Sequence, residues 1–206
     1  MKITLTDAGK RFNSDWIFRH LSYEFSTGHS YAITGPNGSG KSTLLQVIAG
    51  AIALSEGKIR YGTASAEYAG DQAYRYISLT APYMELVEEM TLREFLRFHE
   101  VFKPFLPSIS IDRIIHLVQL EGSAHKQIRL FSSGMKQRAK LAQALFSSTP
   151  VVLLDEPCTN LDAEGIALYN ELIGEFAKDR MVIVSSNDHQ EYSFCEMNIE
   201  MADWKK

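Results

Sequence analysis

"GPNGSGKST", Gly35 to Thr43, is the stretch on which the fold turns. It matches G-x-x-x-x-G-K-[ST] and lies between an apolar run, "SYAIT", and a helical one, "KSTLLQVIAGAI". Glycines let a backbone wrap closely around phosphates, so that successive N–H groups point inward as a nest. Here the nest is Gly35, Pro36, Asn37, Gly38, Ser39 and Gly40. Lys41 offers a point charge to the β- and γ-phosphates, Ser42 a hydroxyl to Mg²⁺, and Thr43 a contact to a further phosphate oxygen. The helix that begins there adds its dipole. The bare pattern arises by chance in about one chain per hundred of this size, and the strand and helix flanks make chance rarer. The reading is a nucleoside triphosphate site.

On the N-terminal side of the loop, "KITLTDA", "LSYEF" and "SYAIT" read as strands. On the other side, short strands are expected around "GKIRY" and "YRYISL". From Met90 the period becomes helical. Thr91 and Glu94 stand at capping-box spacing, and Leu92, Phe95, Leu96 and Phe102 make an apolar stripe. "FKPFLPS" breaks that helix, and Ile111, Ile114, Ile115 and Val118 give the face of another. A third helix runs from "SSGMKQRAK" to about Phe146. "PVVLLDE" is an apolar strand of the kind covered on both faces. A helix near 162–178 and the strands "MVIVSS" and "EMNIEM" follow. Strand–loop–helix, then helices alone, then strand–helix–strand is α/β with a helical insertion.

Composition narrows the function classes. The 206 residues are 45% hydrophobic, enough for a real core, and the formal charge of −4 argues against a sequence-independent nucleic-acid binder. The N-terminus lacks the apolar core of a signal peptide, and no apolar run approaches a membrane span. A cytoplasmic chain is expected, with any membrane role needing another chain. Cys158 and Cys195 show no CxxC spacing and read as reduced structural thiols. His20, His29, His99, His116 and His125 show no ligand spacing.

"VVLLDEPCTNLD" carries the second half of the chemistry. Asp155 ends a buried strand, so its carboxylate emerges at the sheet's C-terminal edge, where open α/β sheets bind ligands. There it would hold Mg²⁺ through the ion's water shell. Glu156 is placed to orient and deprotonate an attacking water. A second anion site is legible in "SSGMKQRAK", Ser132 to Lys140, with two hydroxyls and a glycine at a helix start.

Together these motifs resemble the nucleotide-binding domain of the ATP-binding cassette (ABC) family, over nearly the whole chain. "FSSGMKQR" looks like a variant of that family's signature, LSGGQ followed by a basic–Gln–Arg run, and stands about twenty residues before the Asp–Glu pair. "TNLD" resembles its D-loop, with Asp162 the acidic residue. Phe12 lies where the family carries an aromatic that stacks on adenine; a core aromatic on an early strand is the other reading. The resemblance implies a P-loop NTPase core with a parallel sheet, an N-terminal antiparallel β subdomain and an α-helical subdomain inserted at about 88–147. All lie within one domain spanning 1–206. It further implies head-to-tail dimers, in which Ser132 and Gly134 of one copy cap the ATP held by the other.

Three departures stand out. Ser133 and Met135 replace a glycine and a glutamine of the signature, while Ser132 and Gly134 are kept. Pro82 falls at the Q-loop glutamine, which in that family senses the metal and links to the membrane partner. Asn187 falls at the switch histidine, with His189 two residues displaced. Asn187 can still donate to the γ-phosphate but cannot titrate, so slow hydrolysis is expected.

The resemblance implies an ATP-binding and hydrolysing transporter subunit, peripheral on the inner face of the cell membrane. It would act as a homodimer, or as a heterodimer with a related ATPase, driving an integral membrane subunit on a separate chain. The helical insertion is the expected docking surface. A soluble non-transport ABC ATPase, for example in iron–sulfur cluster assembly, stays open. So does a weakly hydrolysing regulatory module. No nucleic acid is expected, and no regulatory domain after residue 206.

Overall fold

A computed structural model describes residues 1–63 and 66–205. The chain opens with a hairpin of β1 (Lys2–Phe12) and β2 (Asp15–Ser26), antiparallel and bulged. β3 (Ser30–Thr34) is buried from Tyr31 onward and leads through the glycine-rich loop into α1 (Lys41–Ile48). That helix stops short of the full "KSTLLQVIAGAI" run. Gly50, at φ 73°, turns its N–H back to Val47 O and closes the end.

β4 (Glu56–Gly62) and β5 (Glu67–Tyr68) extend the hairpin into an antiparallel sheet of order β2-β1-β4-β5. The strand expected over "YRYISL" is half a strand. Gly70–Arg75 is a 3₁₀ turn, Tyr76 N–H returns to Ala73 O, and β6 (Ile77–Thr80) begins only afterwards. Tyr76 stacks on Tyr68 instead, ring centroids 4.4 Å apart.

α2 (Leu92–Phe102) starts at the expected capping box: Glu94 N–H donates to Thr91 Oγ1, and Thr91 N–H to Glu94 Oε2 at 2.8 Å. α3 (Ile111–Leu117) is capped by Ser110, and α4 (Ser133–Leu145) by Ser132. β7 (Val151–Asp155), α5 (Ala163–Phe176), β8 (Met181–Ser185), the one-turn α6 (His189–Tyr192) and β9 (Met197–Glu200) complete the order. The second sheet is wholly parallel, β6-β7-β8-β3-β9. Among the described residues no helix is long and apolar enough to cross a membrane.

The parallel sheet separates two buried layers. Along β7 the side chains alternate. Val151 and Leu153 join the layer of α1, β1, β2 and β4, while Val152 and Leu154 join that of α2 to α5. Both faces are covered, which is why "VVLL" carries no polar alternation. The inserted helices share one buried cluster with the sheet face beneath them.

Two polar groups inside this packing bear on later argument. His99 of α2 sets Nε2 2.9 Å from Ser147 Oγ. The Ser147 hydroxyl donates to Gln143 O, so the imidazole is the donor. Burial, reinforced by Lys103, pushes His99 down from 6.5 to about 4. Arg180, 8% exposed, donates to Leu145 O, Ser147 O and Thr149 O at 2.6, 2.9 and 2.7 Å. Its remaining bonds reach the Thr149 and Ser78 hydroxyls. Burial lowers its pKa to about 10.

Candidate functional site

Sheet order brings the chemistry together. β3 ends in the glycine-rich loop, β8 lies beside it, and β7 beside β8, so Thr34, Asp155 and Ser185 finish at one edge. The loop requires its glycines. Gly40 has φ 103°, and a Cβ there would stand 2.4 Å from Ile17 Cγ2. Lys41 is buried and folds over the loop, donating to Gly35 O at 2.8 Å and Pro36 O at 3.4 Å. Asn37, Gly38, Gly40, Lys41, Ser42 and Thr43 line a cleft of about 350 Å³ with Ile17 and Glu156.

Asp155 is 1% exposed, and its Oδ1 has no hydrogen-bond partner among the described residues; the same holds for Ser185 Oγ and Ser39 Oγ. An orphaned buried carboxylate oxygen normally costs free energy. A hard cation is the partner its chemistry fits. No group of three His, Cys, Asp or Glu suited to a metal occurs among the described residues. Mg²⁺ bound through one carboxylate, a hydroxyl, water and phosphate needs no such group.

Glu156 holds a left-handed backbone, φ 44°, and its N–H donates to Ser185 O at 2.9 Å. That conformation is strained for a non-glycine residue. The loop after it is gripped from two sides. Gln137 of α4 donates from Nε2 to Pro157 O at 2.6 Å, and Cys158 N–H donates to Glu191 Oε1 at 2.7 Å.

Asn187 is exposed and donates from Nδ2 to Asn37 Oδ1 at 3.0 Å, so the residue in the switch register touches the phosphate loop. His189 begins α6 and packs edge-on against Tyr192. Phe12 is 48% exposed at the end of β1, with Lys10 Nζ 4.9 Å from its ring centre. It is no core aromatic. Pro82 offers its carbonyl to Lys140 Nζ at 2.9 Å. Its neighbour Tyr83 is half-exposed; partial burial raises its pKa, Gln46 opposes the rise and the charge of Asp155 adds to it.

The serine-capped start of α4 stands apart. Ser132 is exposed and accepts from Met135 N–H at 3.2 Å. Ser132, Ser133 and Gly134 line a cavity of about 510 Å³ with Gln119, Arg138 and Asp162. Asp162 caps α5 through Gly165 N–H at 2.8 Å and lies 3.8 Å from Arg138. None of the residues lining this cavity lines the phosphate-loop cleft.

Gln137 and Glu191 were not singled out from the sequence. Gln137 belongs to the basic–Gln–Arg run after the signature, which could have flagged it. Glu191 carries no local signal.

The family model described as ABC transporter matches residues 18–159. The cytochrome c biogenesis ATP-binding export protein CcmA of Agrobacterium fabrum is 32% identical over 84% of this chain and 82% of its own length. The uncharacterized ABC transporter ATP-binding protein YybJ of Bacillus subtilis is 30% identical over 97% and 92%. Among solved structures, the dimeric bacterial ABC transporter cassette MJ0796 superposes with a TM-score of 0.81 at 21% identity, covering 97% of this chain and 94% of that one.

Proposed function

The chain belongs to the ABC transporter family as one of its ATP-binding ATPases, and from that premise we propose that two copies close head to tail around ATP beneath a separate membrane protein. The observation that carries this reading is the separation of the two anion sites. Ser132 lies exposed in a cavity that shares no lining residue with the phosphate-loop cleft. A nucleotide in that cleft therefore leaves the same chain's serine unused, and a second copy supplies the complement. A two-fold pair makes two such sites.

Each residue's role follows from its chemistry. The loop N–H groups from Gly35 to Gly40 cradle the phosphates, and Lys41 exchanges its carbonyl partners for phosphate oxygens. Thr43 holds a further phosphate oxygen, and Phe12 offers a π-face to the base. Asp155 and Ser42 would hold Mg²⁺, which when bound neutralises charge building on the phosphates. Glu156 takes a proton from water attacking the γ-phosphate. Asn187 donates to the transferred group, and Ser132 and Gly134 of the second copy close over it with the dipole of α4 behind them. Asp162 borders that closing surface. Asn187 brings one neutral donor where a histidine could also titrate, so turnover is slow.

The membrane partner would meet the inserted helices, where Phe98, Val101 and Phe102 of α2 stand exposed. On this reading the chain works at the inner face of the cell membrane. The test is Glu156→Gln, which is expected to bind ATP, fail to hydrolyse it and elute as a dimer in size exclusion, with Lys41→Ala as the non-binding control. An ATP-loaded Glu156→Gln protein that stays monomeric overturns the composite site. Co-purification of the native chain from membranes with a polytopic protein tests the partner.

A further inference from the structure

The buried carboxylate of Glu191 is unused by the roles above. Glu191 sits on α6, 5% exposed. It accepts from Cys158 N–H at 2.7 Å, two residues after Glu156. Its own N–H donates to Asp188 O at 3.0 Å, in the turn that carries Asn187, and the Ser186 side chain favours its ionised form. Ser186 is itself buried: its Oγ accepts from Asp188 N–H at 2.9 Å, and its N–H donates to Ile33 O at 3.2 Å, at the root of the phosphate loop. Tyr169 Oη donates to Glu191 O at 2.8 Å, which fastens α6 to α5.

We infer that Glu191 is a positioning residue for hydrolysis: its carboxylate ties the loop carrying Glu156 to the turn carrying Asn187, so that base and γ-phosphate donor move as one unit. Among the described residues two bonds join these segments, Glu156 N–H to Ser185 O at 2.9 Å and Cys158 N–H to the Glu191 carboxylate at 2.7 Å, and only the second is made by a side chain. Glu156 is held at φ 44°, a conformation that persists only where surrounding contacts impose it. Downstream its loop is held by Gln137 on Pro157 O and by Glu191 on Cys158 N–H. Only the second of these reaches the turn of Asn187, because Glu191 N–H is bonded to Asp188 O and Asp188 N–H to Ser186 Oγ. Burial pushes the Glu191 carboxyl up, and Ser186 and the Cys158 N–H oppose that. A carboxylate kept buried at that cost holds something in place.

The inference rests on the roles proposed for Glu156 and Asn187. In the purified full chain, Glu191→Ala is expected to lower kcat for ATP about a hundredfold, the scale of a small misplacement of reacting groups. Its ATP affinity, read by titration of a fluorescent nucleotide, stays at the parent value because the phosphate loop is untouched. Glu191→Gln keeps an acceptor for Cys158 N–H and can donate to Ser186 Oγ, and is expected to restore kcat to within about threefold. A merely structural residue would lower stability in both variants without this split of kcat from affinity.

Parental kcat in folded Glu191→Ala overturns the inference, as does Glu191→Gln impaired as deeply as the alanine variant. If Glu191→Ala does not fold, Ser186→Ala decides. A kcat about tenfold lower at unchanged affinity supports the tie, and parental kcat overturns it. Glu156→Gln is measured alongside. If it turns over at the parental rate, the base assignment falls and takes this inference with it. If it is inactive while Glu191→Ala is unimpaired, this inference alone falls.

Discussion

His99 should make the fold lose stability in weak acid, and the loss can be worked out beforehand. The imidazole protonates at about 4 in the folded chain against 6.5 ordinarily, because burial and then Lys103 disfavour its cation. A base depressed by folding is protonated first in the unfolded chain. Its contribution is therefore complete above pH 6.5 and lost as pH falls from there towards 4. The full shift corresponds to about 3 kcal/mol, of which about 2 kcal/mol is already gone at pH 5. Carboxylates also titrate on that side, so the comparison needs a non-titrating partner. Glutamine at 99 can donate to Ser147 Oγ without charging. Urea unfolding of the parent and His99→Gln at pH 7.5 and pH 5 gives the double difference. The parent should lose about 2 kcal/mol more than the variant over that interval. Parallel losses would refute the assignment of a half-buried neutral imidazole.

Two further outcomes test the nucleotide site. Gly40→Ala adds a Cβ 2.4 Å from Ile17 Cγ2 at φ 103°, and ATP affinity by calorimetry should fall at least about tenfold through the displaced loop. Phe12→Ala should weaken ATP binding by about tenfold, the scale of one lost base stack. Phe12→Tyr should bind as the parent does, and equal affinity in all three proteins would remove the stacking role.

The phosphate loop, the Asp–Glu pair and the parallel sheet were legible because each rests on local chemistry. Glycines sit where φ is positive, an uninterrupted apolar run forms a strand covered on both faces, and Thr91 and Glu94 form a capping box. The failures were of tertiary origin. "YRYISL" has strand propensity throughout, yet Tyr76 closes a turn and stacks on Tyr68, and no window of sequence announces that pairing. What Pro82 does in place of a Q-loop glutamine is equally a matter of tertiary contacts. The proline carbonyl is held by Lys140 Nζ at 2.9 Å, a contact between segments far apart in sequence. Glu191 was invisible for a related reason: an acid in a polar segment reads as a solvated surface group until the fold buries it.

Arg180 gives α4 a fixed far end. The helix has thirteen residues and is therefore about 20 Å long, with Ser132 at one tip and Leu145 O bonded to the guanidinium at the other. Carbonyls beyond the helix are fastened by the same cation, so this end cannot slide without breaking several bonds together. Arg180 is therefore the pivot for any tilt of this helix, and Gln137 on Pro157 O is the bond that such a tilt would strain. A tilt of about 5° about that pivot carries the serine tip roughly 2 Å, since the arm is about 20 Å. That is enough to make or break a hydrogen bond, at the phosphate end and at Pro157 alike.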